Sequence, residues 1–194
     1  MKVSSMLMTV LIVVILAIGA YGGARRGLIL QFVMTVGYFV SYLMASKYYQ
    51  ALGSHLELIV PYPSASESSQ FVYYDQALGL NLDGAFYNGV AFIIILFVGW
   101  LITRFIGGLL NAVTFIPVLK QLNTVGGALL SFIVAYVAIF LLLFLLTMVP
   151  IDAIQEAFSK SWLARKIVED TPVISAQLYN WWIDNTYCSI IPKK

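Results

Sequence analysis

The chain has 194 residues, 61% of them hydrophobic and 10% charged, with a net charge of +2 and a mean hydropathy of +0.90. A soluble domain carries about 25% charged residues, so this composition excludes an ordinary water-soluble fold and describes an integral membrane protein. The net charge is too small to speak for nucleic acid and no basic stripe is present, so no nucleic-acid partner is expected. One cysteine (Cys188) and one histidine (His55) exclude a disulfide framework and speak against a metal centre.

The first apolar segment runs from about residue 3 to residue 20. About eighteen residues only just cross a hydrocarbon core of about 30 Å at 1.5 Å per residue. Gly22-Gly23-Ala24-Arg25-Arg26-Gly27 follows and reads as a tight glycine turn. A second apolar segment, about 28–48, completes a transmembrane hairpin, with Tyr38, Tyr42, Tyr48 and Tyr49 toward its far end. Arginine pairs in short loops stay cytoplasmic, so Arg25 and Arg26 orient the hairpin with the N-terminus outside. Reading the first segment as a cleaved signal, cut near Ala20 or Ala24, would leave those arginines on the wrong side.

Residues 50–85 form the longest polar stretch. Pro61-Tyr62-Pro63 and the serines from Ser64 to Ser69 mark a loop, and Glu57, Glu67, Asp75 and Asp83 are its acids. Because no Lys or Arg lies between Lys47 and Arg104, this loop is expected outside. A third span is expected at about 86–106. Between Gly107 and Thr124 the sequence is too polar and broken to cross, and a short interfacial helix is expected, held inside by Arg104 and Lys120. The fourth span, about 125–149, carries no charge; Thr124 is its expected N-cap and Pro150 its stop.

After Pro150 the chain becomes an amphipathic, Trp-rich tail, 151–194. Ile151, Ile154, Phe158, Trp162 or Leu163, and Ile167 recur near helical spacing, with Asp152 and Glu156 early and Lys160, Arg165 and Lys166 late. Thr171-Pro172 restarts a helix bearing Tyr179, Trp181, Trp182 and Tyr187. Such a tail either lies in the membrane interface or caps the outer loop. The expected architecture is all-α: four transmembrane helices, both termini extracytoplasmic, and a helical tail.

Small residues recur at four-residue spacing in every span: Gly19, Gly23, Gly27; Gly37, Ser41, Ala45; Gly99, Thr103, Gly107; Gly127, Ser131, Ala135. Helix pairs in lipid associate through such close-approach ridges, so Gly37, Gly99, Gly107 and Gly127 are expected helix-packing positions, within the bundle or in a homo-oligomer. No Asp, Glu, Lys or His lies mid-span, which lowers the case for an ion-coupled transporter without excluding a passive pore. Asn111 and Asn123 are the polar residues nearest the inner hinge, suited to capping or interhelical hydrogen bonding. No H-E-x-x-H, G-x-S-x-G or P-loop signature occurs, so no enzyme, cofactor or metal is expected.

The glycine-arginine-arginine-glycine turn at Gly23 to Gly27, the following helix with Gly37, and Ile116-Pro117-Val118-Leu119-Lys120-Gln121-Leu122-Asn123 before Gly126-Gly127-Ala128-Leu129-Leu130 resemble the colicin V production protein (CvpA) family. The likeness covers roughly residues 5–150. Many relatives carry a further glycine where this chain has Ser131, and the serine-rich outer loop is long for the family. The resemblance implies a bacterial inner-membrane accessory protein, involved in peptide-toxin production or export and in envelope homeostasis. The expected partners are the lipid bilayer, a second copy, or an unknown membrane or envelope protein. A small oligomeric channel or solute pathway is the alternative. Arg25, Arg26, Gly27 and Asn123 are the expected functional positions, on the cytoplasmic side.

Overall fold

Lipid offers no hydrogen-bond partners, so a chain this apolar must satisfy its backbone internally, and it does so as helix. The computed structural model describes residues 2–63, 71–74, 79, 82–110, 120–169, 171 and 177–184. Four long helices, α1 (Lys2–Arg26), α2 (Leu28–Leu56), α3 (Asp83–Leu110) and α4 (Lys120–Thr147), precede two short ones, α5 (Asp152–Lys160) and α6 (Trp162–Glu169). A π-helical turn, Tyr179–Asp184, follows, and there is no strand among the described residues. Each long helix contains a stretch long and apolar enough to cross a membrane: Met6–Arg26, Leu28–Leu56, Asp83–Leu109 and Gln121–Thr147. Large apolar side chains such as Leu11, Phe32, Phe39, Phe105 and Leu129 stand exposed along them, an arrangement stable only in lipid. The protein is an all-α polytopic membrane protein.

Several expected boundaries move. Gly22 and Gly23 do not open a loop; α1 continues to Arg26, and only Gly27, at φ +82°, leaves the helix. The polar stretch expected after residue 48 begins as helix, since α2 runs on to Leu56. There Ser54 donates to the Ala51 carbonyl and a His55 ring nitrogen lies 2.8 Å from it. Asp83 opens α3, where a carboxylate complements the helix dipole. Thr124 is not an N-cap: α4 already starts at Lys120 and ends at Thr147, two residues earlier than expected. Outside the described residues lie the serine loop 64–69, the inner segment 111–119 with Asn111 and Pro117, and also Pro172, Tyr187 and Cys188.

The chain divides into two compact units whose boundaries fall inside the long helices. The first unit comprises Leu11–Lys47 and Ile93–Ile139; the second, the tail unit, comprises Met1–Val10, Tyr48–Phe92 and Phe140–Lys194.

In the first unit the small-residue ridges meet in two antiparallel pairs. A Cβ on Gly19 would lie 2.8 Å from Ala135 Cβ, and one on Gly23 would overlap the Gly127 carbonyl and Ser131 Cβ, so α1 and α4 touch nearly backbone to backbone. Ser131 uses that proximity to donate to the Gly19 carbonyl at 2.7 Å. In the second pair, Gly37 faces Thr103, Gly99 faces Ser41, and Gly107 faces Met34. Van der Waals packing along such ridges replaces the hydrophobic drive that lipid removes.

The tail unit is built differently, around buried aromatics and satisfied helix ends. Trp182, Phe92, Phe140 and Phe158 are fully buried. The Trp182 ring lies 5.5 Å from Phe92 and 5.6 Å from Phe144, and Gly89 leaves room for it. The last carbonyls of a helix have no partner within it. Here Gln155 donates to the Thr147 and Val149 carbonyls at 3.1 and 2.9 Å, while its own oxygen accepts from the Val72 backbone at 3.1 Å. Tyr62 donates to the Met148 carbonyl at 2.8 Å, and Tyr74 reaches the Thr147 hydroxyl at 3.1 Å. Burial, the largest cause, pushes both phenols up to about 12, so they remain protonated donors at ordinary pH.

The expected continuous amphipathic helix after Pro150 is broken at Ser161, which is extended and buried. Its hydroxyl accepts from the Ala164 N–H at 3.3 Å, capping α6, and lies 3.0 Å from the Thr9 hydroxyl. The break turns the periodic set apart: Phe158 and Ile167 are buried, whereas Ile151 and Trp162 are exposed. Tyr49 donates to the Trp181 carbonyl at 3.0 Å, and Leu178, Trp182 and Ile183 are buried. Among the described residues of the tail, Phe158, Ile167, Leu178, Trp182 and Ile183 are covered by protein, while Trp162 stays exposed.

Candidate functional site

The α1–α2 junction concentrates the expected site residues, and its geometry follows from one backbone position. Gly27 is the only described residue with a positive φ, and it joins two long helices without any further loop. Its N–H bonds to the Gly23 carbonyl at 3.0 Å, and its carbonyl accepts from Gln31 N–H at 3.1 Å, so the chain reverses with little loss of backbone bonding. A glycine cannot supply a side-chain cap for α2. Asn123, from the first turn of α4, supplies it instead: its Oδ1 accepts from the Leu28 N–H at 2.8 Å. A Cβ on Gly27 would strike the Asn123 amide, so the two positions constrain each other.

The two arginines diverge. Arg25 is exposed, while Arg26 is half-buried and turns toward α2. Arg26 Nη1 donates to Gln31 Oε1 at 3.1 Å and lies 3.7 Å from Met34 Sδ. Gln31 and Met34 are both buried. Met34 in turn packs on Gly107, one helical turn from Arg104, whose guanidinium sits 5.3 Å from the Trp100 ring centroid. Arg26, Arg104 and Tyr38 are close enough to act on one another electrostatically. The structure thus brings together Arg26, Gly27 and Asn123, leaves Arg25 pointing out, and adds Gln31 and Arg104.

The sequence reading did not single out Gln31. Its signal was present, because it is the first polar side chain of an otherwise apolar helix start, Leu28-Ile29-Leu30-Gln31-Phe32. Gln155 was overlooked in the same way, since its role depends on carbonyls that only the fold presents. Of the packing positions, Gly127 lies against Gly23 and Gly27, whereas Gly37, Gly99 and Gly107 line the α2–α3 contact. Chemically the junction is a cluster of donors. No group of three or more His, Cys, Asp or Glu side chains assembles among the described residues.

Asn123→Ala should cost about 1 kcal/mol, the usual worth of a helix cap, because it strips the acceptor from the Leu28 N–H. Asn123→Asp should retain the stability, since a carboxylate suits a helix N-terminus. Thermal melting of the detergent-purified protein tests this; equal melting of Asn123→Ala and the parent would remove the capping role.

The family model described as colicin V production protein matches residues 8–172 of this chain. The chain is similar to the uncharacterized transmembrane protein YshB of Bacillus subtilis (strain 168), with 34% identity over 176 residues, covering 91% of this chain and 97% of that protein. No solved structure matches.

Proposed function

This chain belongs to the colicin V production protein family, and from that premise we propose a membrane accessory protein that supports peptide-toxin production or export and envelope homeostasis through partners, without catalysis of its own. The reading places it in the bacterial plasma membrane with the Arg25-Arg26 junction cytoplasmic and both termini outside, on the strength of the basic residues in the short loops. It requires no cofactor.

The observation that carries the partner role is the pair Leu58 and Ile59. They follow the end of α2 and are 86% and 76% exposed, in a turn where Leu58 N–H bonds to the His55 carbonyl and Ile59 N–H to the Leu56 carbonyl. Large apolar side chains held out by a hydrogen-bonded turn beyond a spanning helix are suited to a protein contact.

A photo-crosslinking residue at position 58 or 59, activated in native membranes, tests the role. A heterologous envelope protein that Leu58→Ser with Ile59→Ser no longer captures, together with loss of toxin output in a deletion background, supports it. Self-crosslinks alone, with unchanged output, would replace it with a homo-oligomer.

A further inference from the structure

The two sides of α6 differ. Ala164, Ile167 and Val168 are buried, so Trp162, Arg165, Lys166 and Glu169, spaced three or four residues apart, share the exposed face. These four side chains line an open cleft of about 260 Å³. Lys166 Nζ lies 5.2 Å from the Trp162 ring centroid, so one part of the cleft is a cation held over an indole. Arg165 and Glu169 stand four residues apart, the spacing at which opposite charges on a helix pair readily. They make no ion pair or side-chain hydrogen bond among the described residues, although α5 closes such a pair between Lys160 and Glu156. The cleft therefore presents a guanidinium and a carboxylate that do not satisfy one another.

The depth of the cleft describes what reaches it. Ser161, the residue before α6, has its hydroxyl 3.0 Å from that of Thr9, which lies within the apolar Met6–Arg26 stretch of α1. The start of α6 is thus held at the level where α1 enters the hydrocarbon and exposes Leu7 and Val10. Trp162 follows at once and is exposed, an indole at the boundary between acyl chains and headgroups. Arg165 and Lys166 lie about one helical turn further along, and Glu169 about two turns. An indole, then cations, then a carboxylate match in order the glycerol backbone, phosphate and ammonium of an aminophospholipid. A headgroup without an ammonium would satisfy the cations and leave Glu169 beside a phosphate.

We propose that this face of α6 binds the headgroup of a zwitterionic aminophospholipid in the leaflet where α1 begins, its phosphate on Arg165 and Lys166 and its ammonium on Glu169. The site goes beyond the accessory role above and does not rest on it. The lipid ties the exposed face of the tail to the membrane surface, while the buried face holds it to the protein.

Native mass spectrometry of the full chain, stripped of lipid in detergent, tests the site. The probes are phosphatidylethanolamine, phosphatidylglycerol with the same acyl chains, and soluble phosphoethanolamine. Phosphatidylethanolamine should be retained about fivefold over phosphatidylglycerol. Glu169→Gln should erase that preference without weakening phosphatidylglycerol binding, a change of selectivity that misfolding does not produce. Arg165→Gln should lower retention of both lipids roughly threefold to fivefold. Lys160→Gln, which removes a cation already paired with Glu156 on α5, should alter neither. Equal retention of the two lipids by the parent, a Glu169→Gln variant that keeps the preference, or equal losses in Lys160→Gln would overturn the proposal. Displacement of the lipid by millimolar phosphoethanolamine would overturn it too, and assign the cleft to a soluble phosphate zwitterion.

Discussion

Gly23→Val should unfold the α1–α4 contact and lower the melting temperature of the purified protein by about 10 °C, corresponding to about 3 kcal/mol or more. The added side chain has nowhere to go. A Cβ on Gly23 meets the Gly127 carbonyl oxygen and Ser131 Cβ, and a Cβ on Gly127 would in turn lie 2.5 Å from the Gly23 carbonyl. Backbone cannot rotate aside as a flexible side chain can, so the helices must separate. That separation would also stretch the Ser131–Gly19 bond of 2.7 Å and the Asn123–Leu28 cap of 2.8 Å. Gly108→Val is the matched control, because nothing lies within 4 Å of its Cβ position and valine costs no close approach there. Fluorescence-detected size exclusion after a heating series reads both variants. If they melt together, the α1–α4 ridge is not a tight contact.

Trp182→Ala should be the most damaging single change in the tail unit, at about 3–5 kcal/mol for the loss of a fully buried indole and the cavity left behind. Trp182 has 0% exposure and packs against Phe92 and Phe144, which come from α3 and α4. Removing it withdraws the apolar anchor that holds the π-helical turn against the two long helices. The companion variant is Trp162→Ala. Trp162 is 65% exposed and engages mainly Lys166, whose Nζ lies 5.2 Å from its ring centroid. A surface change of that kind usually stays within about 0.5 kcal/mol. Limited proteolysis of the tail separates the two: rapid clipping in Trp182→Ala alone is expected. Similar clipping in both variants would contradict a buried anchor.

Both substitutions act on features with different legibility. The glycine ridges could be read from spacing, because a four-residue repeat of small residues keeps to one helix face wherever the helix lies. Spacing could not say which ridge meets which: Gly23 finds Gly127, and Gly37 finds Thr103. The turn at Gly22 to Gly27 was visible as a reversal but misjudged in extent. Glycine is permissive in either conformation, and the two glycines at 22 and 23 stay helical where lipid penalises an open backbone. Thr124 looked like a cap by residue type, yet α4 begins one turn earlier and the cap that matters, Asn123, serves a different helix.

What the sequence alone determined follows from composition and period. A charge content of 10% with four long apolar runs leaves only membrane helices, and the order of the glycine-arginine turn and the Pro117–Gly127 stretch was enough to identify the family. These are properties of segments, and segments are read one at a time. The tertiary structure decided everything that depends on two distant segments meeting. It turned Arg26 inward onto Gln31 while Arg25 faces out, it set Arg104 within electrostatic reach, and it gave Gln155 the Thr147 and Val149 carbonyls, at and just beyond the end of α4, to bond. The physical reason is that a hydrogen bond or a close packing contact exists only when both partners are placed, and residues 26 and 104, or 72, 147 and 155, are brought together by the fold.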